Sequence, residues 1–376
     1  MSDAVLVLNA GSSSIKFSLF AVHERPERWD LLCHGAIDGV GLRAHFTAKD
    51  HAGAALTTDP LDEGATHEDA LGGLLRWLER RFGEYRLAGA GHRVVHGGLA
   101  YLAPVRVDAT VVAELRRLVP LAPLHQPHHL AAIEALSKLH PALPQIACFD
   151  TAFHARHDPL FALYALPREF ADKGVRRYGF HGLSYEWIAR VLRRQHPQLA
   201  AGRVIAGHLG NGASLCAMRG GKSVDTTMGM TALDGLPMGT RSGALDPGAV
   251  IYMVRDLGMP PDEVEHALYE KSGLKGLSGA TNDVRALLAS DDPRAKFALD
   301  YFALKVAQYI AMMAVSIGGI DAVVFTGGIG ENAAPVRDTV MGRLAFLGAP
   351  QVLVIPADEE RMIAMHVMDY LEDNAK

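Results

Sequence analysis

The chain has 376 residues, 49% of them apolar, which is enough to fill two hydrophobic cores, and its formal net charge is −5. That charge excludes broad attraction to nucleic acid or to an anionic membrane surface. Cys33, Cys148 and Cys216 lie far apart with no C-x-x-C spacing, so the thiols read as reduced and buried in a cytoplasmic protein and not as a disulfide framework.

Met1-Ser2-Asp3 has no basic n-region, so no signal peptide is expected. The apolar run Val5-Leu6-Val7-Leu8 predicts a buried strand, and Phe17-Ser18-Leu19-Phe20 predicts a second. The intervening Asn9-Ala10-Gly11-Ser12-Ser13-Ser14-Ile15-Lys16 joins two strands and is no Walker loop. It fits a polar hairpin turn equally well as an anion-binding loop of close backbone, hydroxyls and a mobile Lys16 charge. Short alternating runs from Leu31 to Thr58 predict more β-structure. Leu71, Leu74, Leu75, Leu78 and Phe82 then mark an amphipathic helix. A strand runs into Gly91-His92-Arg93-Val94-Val95-His96-Gly97-Gly98, and Val111–Val119 reads as a helix. The Pro- and His-rich stretch from Ala122 to His129 reads as a loop before a helix ending near His140. His125, His128 and His129 suggest a metal, but no carboxylate or Cys completes the set, and they are assigned to that loop.

Gln145–Phe149 is a strand ending in Asp150, where the domain boundary is placed. Ser184 is the expected N-cap of a helix bearing Trp187, Ile188, Val191 and Leu192. Arg203–Leu209 is a strand, Gly210-Asn211-Gly212-Ala213-Ser214 a small-residue turn, and Leu215–Met218 a strand, which repeats the opening pattern. Phe302, Val306, Ile310, Met313 and Ile317 mark a long helix. Lys305 and Gln308 argue against that helix being a membrane span. It delivers the strand Ala322–Phe325 to a loop over Thr326–Asn332, whose adjacent glycines let a flat base lie on the backbone. A strand over Gln351–Pro356 and a helix over Glu359–Asp373 close the chain. Two βββ-αβα halves, each opening with a strand–turn–strand loop, imply a duplicated α/β architecture with a nucleotide in the cleft between the halves. Arg93, Asp150 and Arg241 sit at strand ends or in Gly-rich loops, where sites are built. Two planar guanidinium groups with Mg²⁺ suit phosphoryl transfer.

Val7–Lys16 and Arg177-Tyr178-Gly179-Phe180-His181-Gly182 resemble the two motifs of the acetate kinase family. The likeness continues through His92–Gly98, Phe149–His154, His208–Ser214, Met238–Gly243, Ser272–Arg285 and Gly327–Asn332. The resemblance implies a duplicated ribonuclease H-like fold of the actin, hexokinase and Hsp70 type. It divides the chain into an N-terminal domain, 1–150 plus 361–376, and a C-terminal nucleotide-binding domain, 151–360. It implies reversible Mg²⁺-dependent transfer from ATP to acetate, giving acetyl phosphate and ADP, with Mn²⁺ as an accepted substitute and a cytoplasmic homodimer as the working form. By position, Asn9 and Glu359 would help hold the metal. Lys16, His208, Leu209, Gly210, Asn211 and Gly212 would bind phosphates. Asp283, Val284, Arg285, Gly327, Gly328, Ile329, Gly330 and Glu331 would bind adenosine. Arg93 and Arg241 would hold the carboxylate and the phosphoryl group, His181 would stabilise the transition state, and Asp150 is the residue the family treats as catalytic. Because a carboxylate acceptor is already ionised at neutral pH, it needs no general base. Asp150 is therefore expected to orient an arginine or a metal-bound water.

The acyl pocket would be Val95, Leu124 and Phe180 with Arg93, and Ala232 stands where the family usually has Pro. Leu183, Tyr185 and Gln126–His129 are further departures. A methylene in such a pocket is worth only about 1–3 kcal/mol, so a propionate or butyrate kinase is the nearest rival. An actin- or Hsp70-like ATPase switch is the rival from another class.

Overall fold

The computed structural model describes residues 2–22 and 29–374. These divide into two compact units, residues 2–152 with 358–374 and residues 153–357.

Unit 1 is built on strands β1 (Ser2–Ala10), β2 (Ser14–Val22), β3 (Trp29–Asp38), β4 (Arg43–Asp50), β5 (Ala55–Glu63), β6 (Tyr85–Val94), β7 (Val105–Arg106) and β8 (Gln145–Phe149). They form one sheet in the order β5-β4-β3-β2-β1-β6-β8-β7. β1, β2 and β3 pair antiparallel, whereas β6 is parallel to β1 and β8 parallel to β6. Unit 2 carries β9 (Arg203–Leu209), β10 (Ala213–Arg219), β11 (Lys222–Thr226), β12 (Ala322–Thr326) and β13 (Gln351–Val354) in the order β11-β10-β9-β12-β13. Its first three strands are again antiparallel and its last two parallel. The segment β3-β2-β1-β6-β8 in unit 1 and the whole sheet of unit 2 therefore share one order and one set of directions. That is the duplicated ribonuclease H-like fold expected from the sequence.

The helices form where the apolar stripes lie. His67–Arg81 buries Leu71, Leu74, Leu75 and Leu78 and opens on a capping box between Thr66 and Asp69. Pro293–Ile317 starts on the Asp292 side chain, takes Pro293 into its first turn and ends at Gly318 in the left-handed region. By length and composition it could cross a membrane. In this fold Phe302, Val306, Ile310, Met313 and Ile317 are instead buried within unit 2.

Three local expectations are corrected. Gln126–His129 is the first turn of the helix Gln126–Leu139 and not a loop, because Pro127 is accommodated where no helical N–H is needed. Thr326–Asn332 is likewise not an open loop, since Gly327–Asn332 is helical. There the Glu331 carboxylate accepts the Gly327 N–H at 2.8 Å and so satisfies an early helical donor. Finally, Ser184 lies inside the helix Gly182–Gln195, whose N-cap position is held by His181.

Candidate functional site

The chemistry-bearing residues of each unit collect at the carboxyl ends of its parallel strands, where open α/β sheets place their ligands. In unit 1 the register pairs Leu8 with His92 and Arg93 with Cys148, so Asn9, Arg93 and Asp150 stand on adjacent strand ends. Arg93 Nε lies 3.1 and 3.2 Å from the two Asp150 oxygens, and Arg93 Nη2 donates to one of them at 2.8 Å. Its Nη1 is 3.5 Å from Glu359, the first residue of the helix Glu359–Asp373 that packs on β1, β6 and β8. Burial works against the Arg93 charge, but Asp150 and Glu359 more than offset it and hold the guanidinium protonated. Burial also pushes the Asp150 carboxyl upward, opposed by Arg93. The two-pronged contact is that of an ionised pair. Glu360 is raised by burial and by the charge of Glu359.

Of the residues expected to line the acyl pocket, Val95 is buried, while Leu124 is 45% exposed. The Val95 N–H donates to His129 Nδ1 at 3.1 Å, and Gln126 Nε2 donates to the His96 carbonyl at 3.0 Å. The Gln126–His129 departure thus supports the Val95–His96 backbone, a function hidden when these residues are read as a loop. Lys16 is exposed on β2, and its register partner across the hairpin is Asn9. His67 Nε2 reaches the Gly11 carbonyl at 3.0 Å, and Gly11 N–H closes on Ser14 at 2.7 Å, so the turn is held from two sides. Among the described residues no group of three or more His, Cys, Asp or Glu side chains is set to hold a metal ion. The oxygens of Asn9 and Glu359, the two residues expected to help hold the metal, are of the kind that suits a hard cation keeping most of its water, as Mg²⁺ does.

In unit 2, Gly179 has φ +78°, and a Cβ there would lie 2.5 Å from Thr226 and 2.7 Å from His154. Only glycine permits this close pass. Arg177 Nη1 fixes the same segment by donating to the Thr227 and Met228 carbonyls at 2.9 and 3.0 Å. The chain then places His181 at φ 59°, the one positive-φ residue other than glycine among the described residues. Such a conformation costs of order 1 kcal/mol or more and concentrates at functional positions.

The His181 and His208 rings stack with centroids 4.3 Å apart. Each has a serine at Nδ1: Ser214 Oγ lies 2.9 Å from His181, and Ser184 Oγ 2.9 Å from His208. Tyr185 Oη lies 2.5 Å from Ser214 Oγ. Sequence reasoning missed these partners of the imidazoles, although Tyr185 is flagged as a departure and Ser214 lies within a matching motif.

The β9–β10 turn supplies the floor. A Cβ at Gly212 would lie 3.3 Å from His181 Nε2 and 3.8 Å from Arg241 Nη1. One at Gly210 would lie 3.9 Å from both Gly328 N and His208 Nε2. The bare turn Gly210-Asn211-Gly212 is therefore faced by two imidazoles, a guanidinium and the Gly328 amide at the start of the helix Gly327–Asn332. That combination of donors suits phosphate oxygens. Leu209 is buried and pairs with Ala213. Arg241 Nη1 donates to the Ala232 carbonyl at 3.1 Å, so the departing residue Ala232 holds Arg241 through its backbone. Phe180 is buried, and its carbonyl lies 3.0 Å from His154 Nε2.

The residues expected around adenosine are partly occupied with one another. Asp283 accepts from Arg285 N–H at 2.9 Å and caps the helix Val284–Leu288; Val284 is buried beneath it. Asn282 Nδ2 donates to Asn211 Oδ1 at 2.9 Å, tying this helix to the turn. Glu331 accepts from Ala357 N–H at 3.0 Å as well as from Gly327. Gly328, Ile329 and Gly330 complete the short helix.

Comparison with known proteins gives the family. The acetokinase family profile matches residues 4–360. An acetate kinase from Rhodopseudomonas palustris (strain ATCC BAA-98 / CGA009) is 50% identical over 390 aligned positions, covering 98% of each chain. Among solved structures, a propionate kinase from Francisella tularensis subsp. tularensis SCHU S4 superposes with a TM-score of 0.89 at 36% identity, covering 97% of this chain and 98% of its own. Porphyromonas gingivalis acetate kinase superposes with a TM-score of 0.89 at 33% identity, covering 98% of this chain and 100% of its own. This chain belongs to the acetokinase family.

Proposed function

We propose that the protein is an acetate kinase, transferring the γ-phosphoryl group of ATP to acetate to give acetyl phosphate and ADP, reversibly and in line. The observation that carries this reading is the set of donors gathered at Gly212, with His181 Nε2 and Arg241 Nη1 beside the same bare backbone atom. Family membership supports it. In this reading His208–Gly212 and Lys16 take phosphate oxygens, and 283–285 with Gly327–Glu331 form the adenosine side. Arg241 and His181 face the charge that spreads over the equatorial oxygens in the transition state. Arg93 takes the acetate carboxylate or the transferring group, aimed by Asp150. Acetate arrives ionised, so Asp150 has no proton to remove. Asn9 and Glu359 would hold Mg²⁺ through water, and the ion would supply neutralising charge on the phosphates.

Val95, Leu124, Phe180 and Ala232 would face the methyl group, with Ala232 leaving room for a longer acid. The exposed Leu245, Ile251, Tyr252 and Leu257, on and beside a helix over Pro247–Arg255 that buries no residue, support a homodimer, and in this reading the enzyme, with its small, soluble substrates, works in the cytoplasm. The test is formation of a hydroxylamine-reactive acyl phosphate from ATP, Mg²⁺ and a panel of acids. The expected result is highest kcat/KM for acetate, with propionate within about 200-fold. A preference for propionate or butyrate would reassign the substrate, and acid-independent ATP hydrolysis alone would refute the kinase reading.

A further inference from the structure

We propose that Tyr185 is a positioning residue for phosphoryl transfer: through Ser214 it fixes the His181 ring with its proton on Nε2 and its lone pair on Nδ1. What the imidazole then does rests on the function proposed above, whereas the tautomer is a property of the chain itself.

The three groups form a short relay. Tyr185 follows His181 by one helical turn, and its N–H donates to the His181 carbonyl at 3.1 Å. Both Tyr185 and Ser214 are fully buried. Tyr185 Oη, Ser214 Oγ and His181 Nδ1 are spaced 2.5 and 2.9 Å apart, within hydrogen-bond distance at each link. A serine hydroxyl has one proton to give and two lone pairs with which to accept. A phenol, with its pKa of about 10, is the better donor of the two hydroxyls. In the proposed arrangement Tyr185 donates to Ser214 and Ser214 gives its own proton to Nδ1, which leaves Nδ1 bare and the neutral ring protonated on Nε2.

That direction matters because of what lies on the other side. Nε2 is the His181 atom nearest the open side of Gly212, and Arg241 Nη1 borders the same point. A neutral N–H donor there adds a hydrogen bond to an incoming anion without placing a second cation beside Arg241. The left-handed backbone of His181 aims the ring, and the relay sets its proton. Tyr185 is also one of the positions where the chain departs from the family's motif.

The experiment is nitrogen NMR on the full-length protein labelled with ¹⁵N at histidine, with the His181 signals assigned by their loss in His181→Asn. The parent should show His181 as the Nε2-protonated neutral ring. In Tyr185→Phe the two nitrogen signals should move toward each other as both tautomers become populated. In the same variant kcat should fall about tenfold, the rate equivalent of one hydrogen bond, with both KM values within about twofold. Tyr185→His keeps an N–H donor for Ser214 and should restore the parent nitrogen pattern and most of kcat. A parent ring protonated on Nδ1, or a Tyr185→Phe pattern identical to the parent, overturns the proposal. If Tyr185→Phe fails to fold, the parent spectrum still decides, because a ring protonated on Nδ1 overturns the proposal. If no acyl phosphate forms in the parent, the function fails while the nitrogen signals still decide the tautomer.

Discussion

Asp150 is 1% exposed and gives both carboxylate oxygens to Arg93, so its role is read from what Arg93 loses without it. Asp150→Asn keeps the shape but removes the charge that offsets burial of the guanidinium. Truncating one partner of such a pair costs about 2–5 kcal/mol. The expected outcome is a lower Tm and a raised KM for acetate, with kcat reduced as Arg93 loses its aim. A variant with parental Tm and turnover would show that Asp150 does not position Arg93. Gly212 gives the complementary test in unit 2. Gly212→Ala places a methyl 3.3 Å from His181 Nε2, inside the space that the proposed function assigns to phosphate. Because the obstacle stands in the cradle and not in the core, Tm should hold while kcat/KM falls about 100-fold. Steady-state kinetics beside calorimetry checks both halves of that statement, and a Tm that falls with activity would contradict it.

At the scale of elements, the C-terminal helix Glu359–Asp373 matters as much as any loop, because its first residue approaches Arg93. It docks on β6 through a glycine: a Cβ at Gly91 would lie 2.3 Å from Ile363 and 2.8 Å from Val367. Gly91→Ala must therefore push the helix away from the sheet, at about 1–3 kcal/mol for overpacking. The expected result is a reduced Tm together with weaker activity, because Glu359 moves with the helix. Unchanged values of both would mean that the helix has slack at this point. The helix itself was legible in the sequence with its bounds at Glu359 and Asp373, as were β9 and the stripe of His67–Arg81, because apolar periodicity reports directly on burial. The elements misread were those whose signals are turn-like residues in helical positions. Pro127 and the pair Gly327-Gly328 read as breakers, yet each opens a helix. Among the candidate site residues, Arg93 and Arg241 stood out beside Gly-rich loops and Asp150 at a strand end, whereas His181 entered through the resemblance to the family motif. Their supporting shell did not stand out. Ser214 is 33 residues from His181, and Gln126 is 30 from His96, so only the fold brings each pair together.

Across the whole molecule, burial has placed imidazoles where they cannot accept a proton. His92 and His96 in unit 1 are pushed down to about 4, both chiefly by burial. His129 is pushed well below its ordinary value, again by burial first and by the Arg93 charge second. In unit 2, burial lowers His154 to about 3 and His157 to about 4. The sign follows from linkage. Above the ordinary histidine value of 6.5 these rings are neutral in both the folded and the unfolded chain, and they cost nothing. As the pH falls below that value the unfolded chain binds protons that the folded chain refuses, so stability is lost down to the folded values near 4. Each fully refusing ring contributes a slope of up to about 1.4 kcal/mol per pH unit. Asp150, Asp225 and Glu360, all raised by burial, act in the opposite sense and gain stability as the pH falls, but the five histidines outnumber them. Carboxylates held low by arginine, such as Asp3 and Asp321, lose their contribution only as the pH falls toward and below 3.8. Between about 6.5 and 4.5 the histidines therefore set the trend. Calorimetry should give a Tm that is nearly flat from pH 8 to 7 and then falls steeply through that window. A Tm that stays level to pH 5 would mean that the buried imidazoles reach water or a partner before the units unfold.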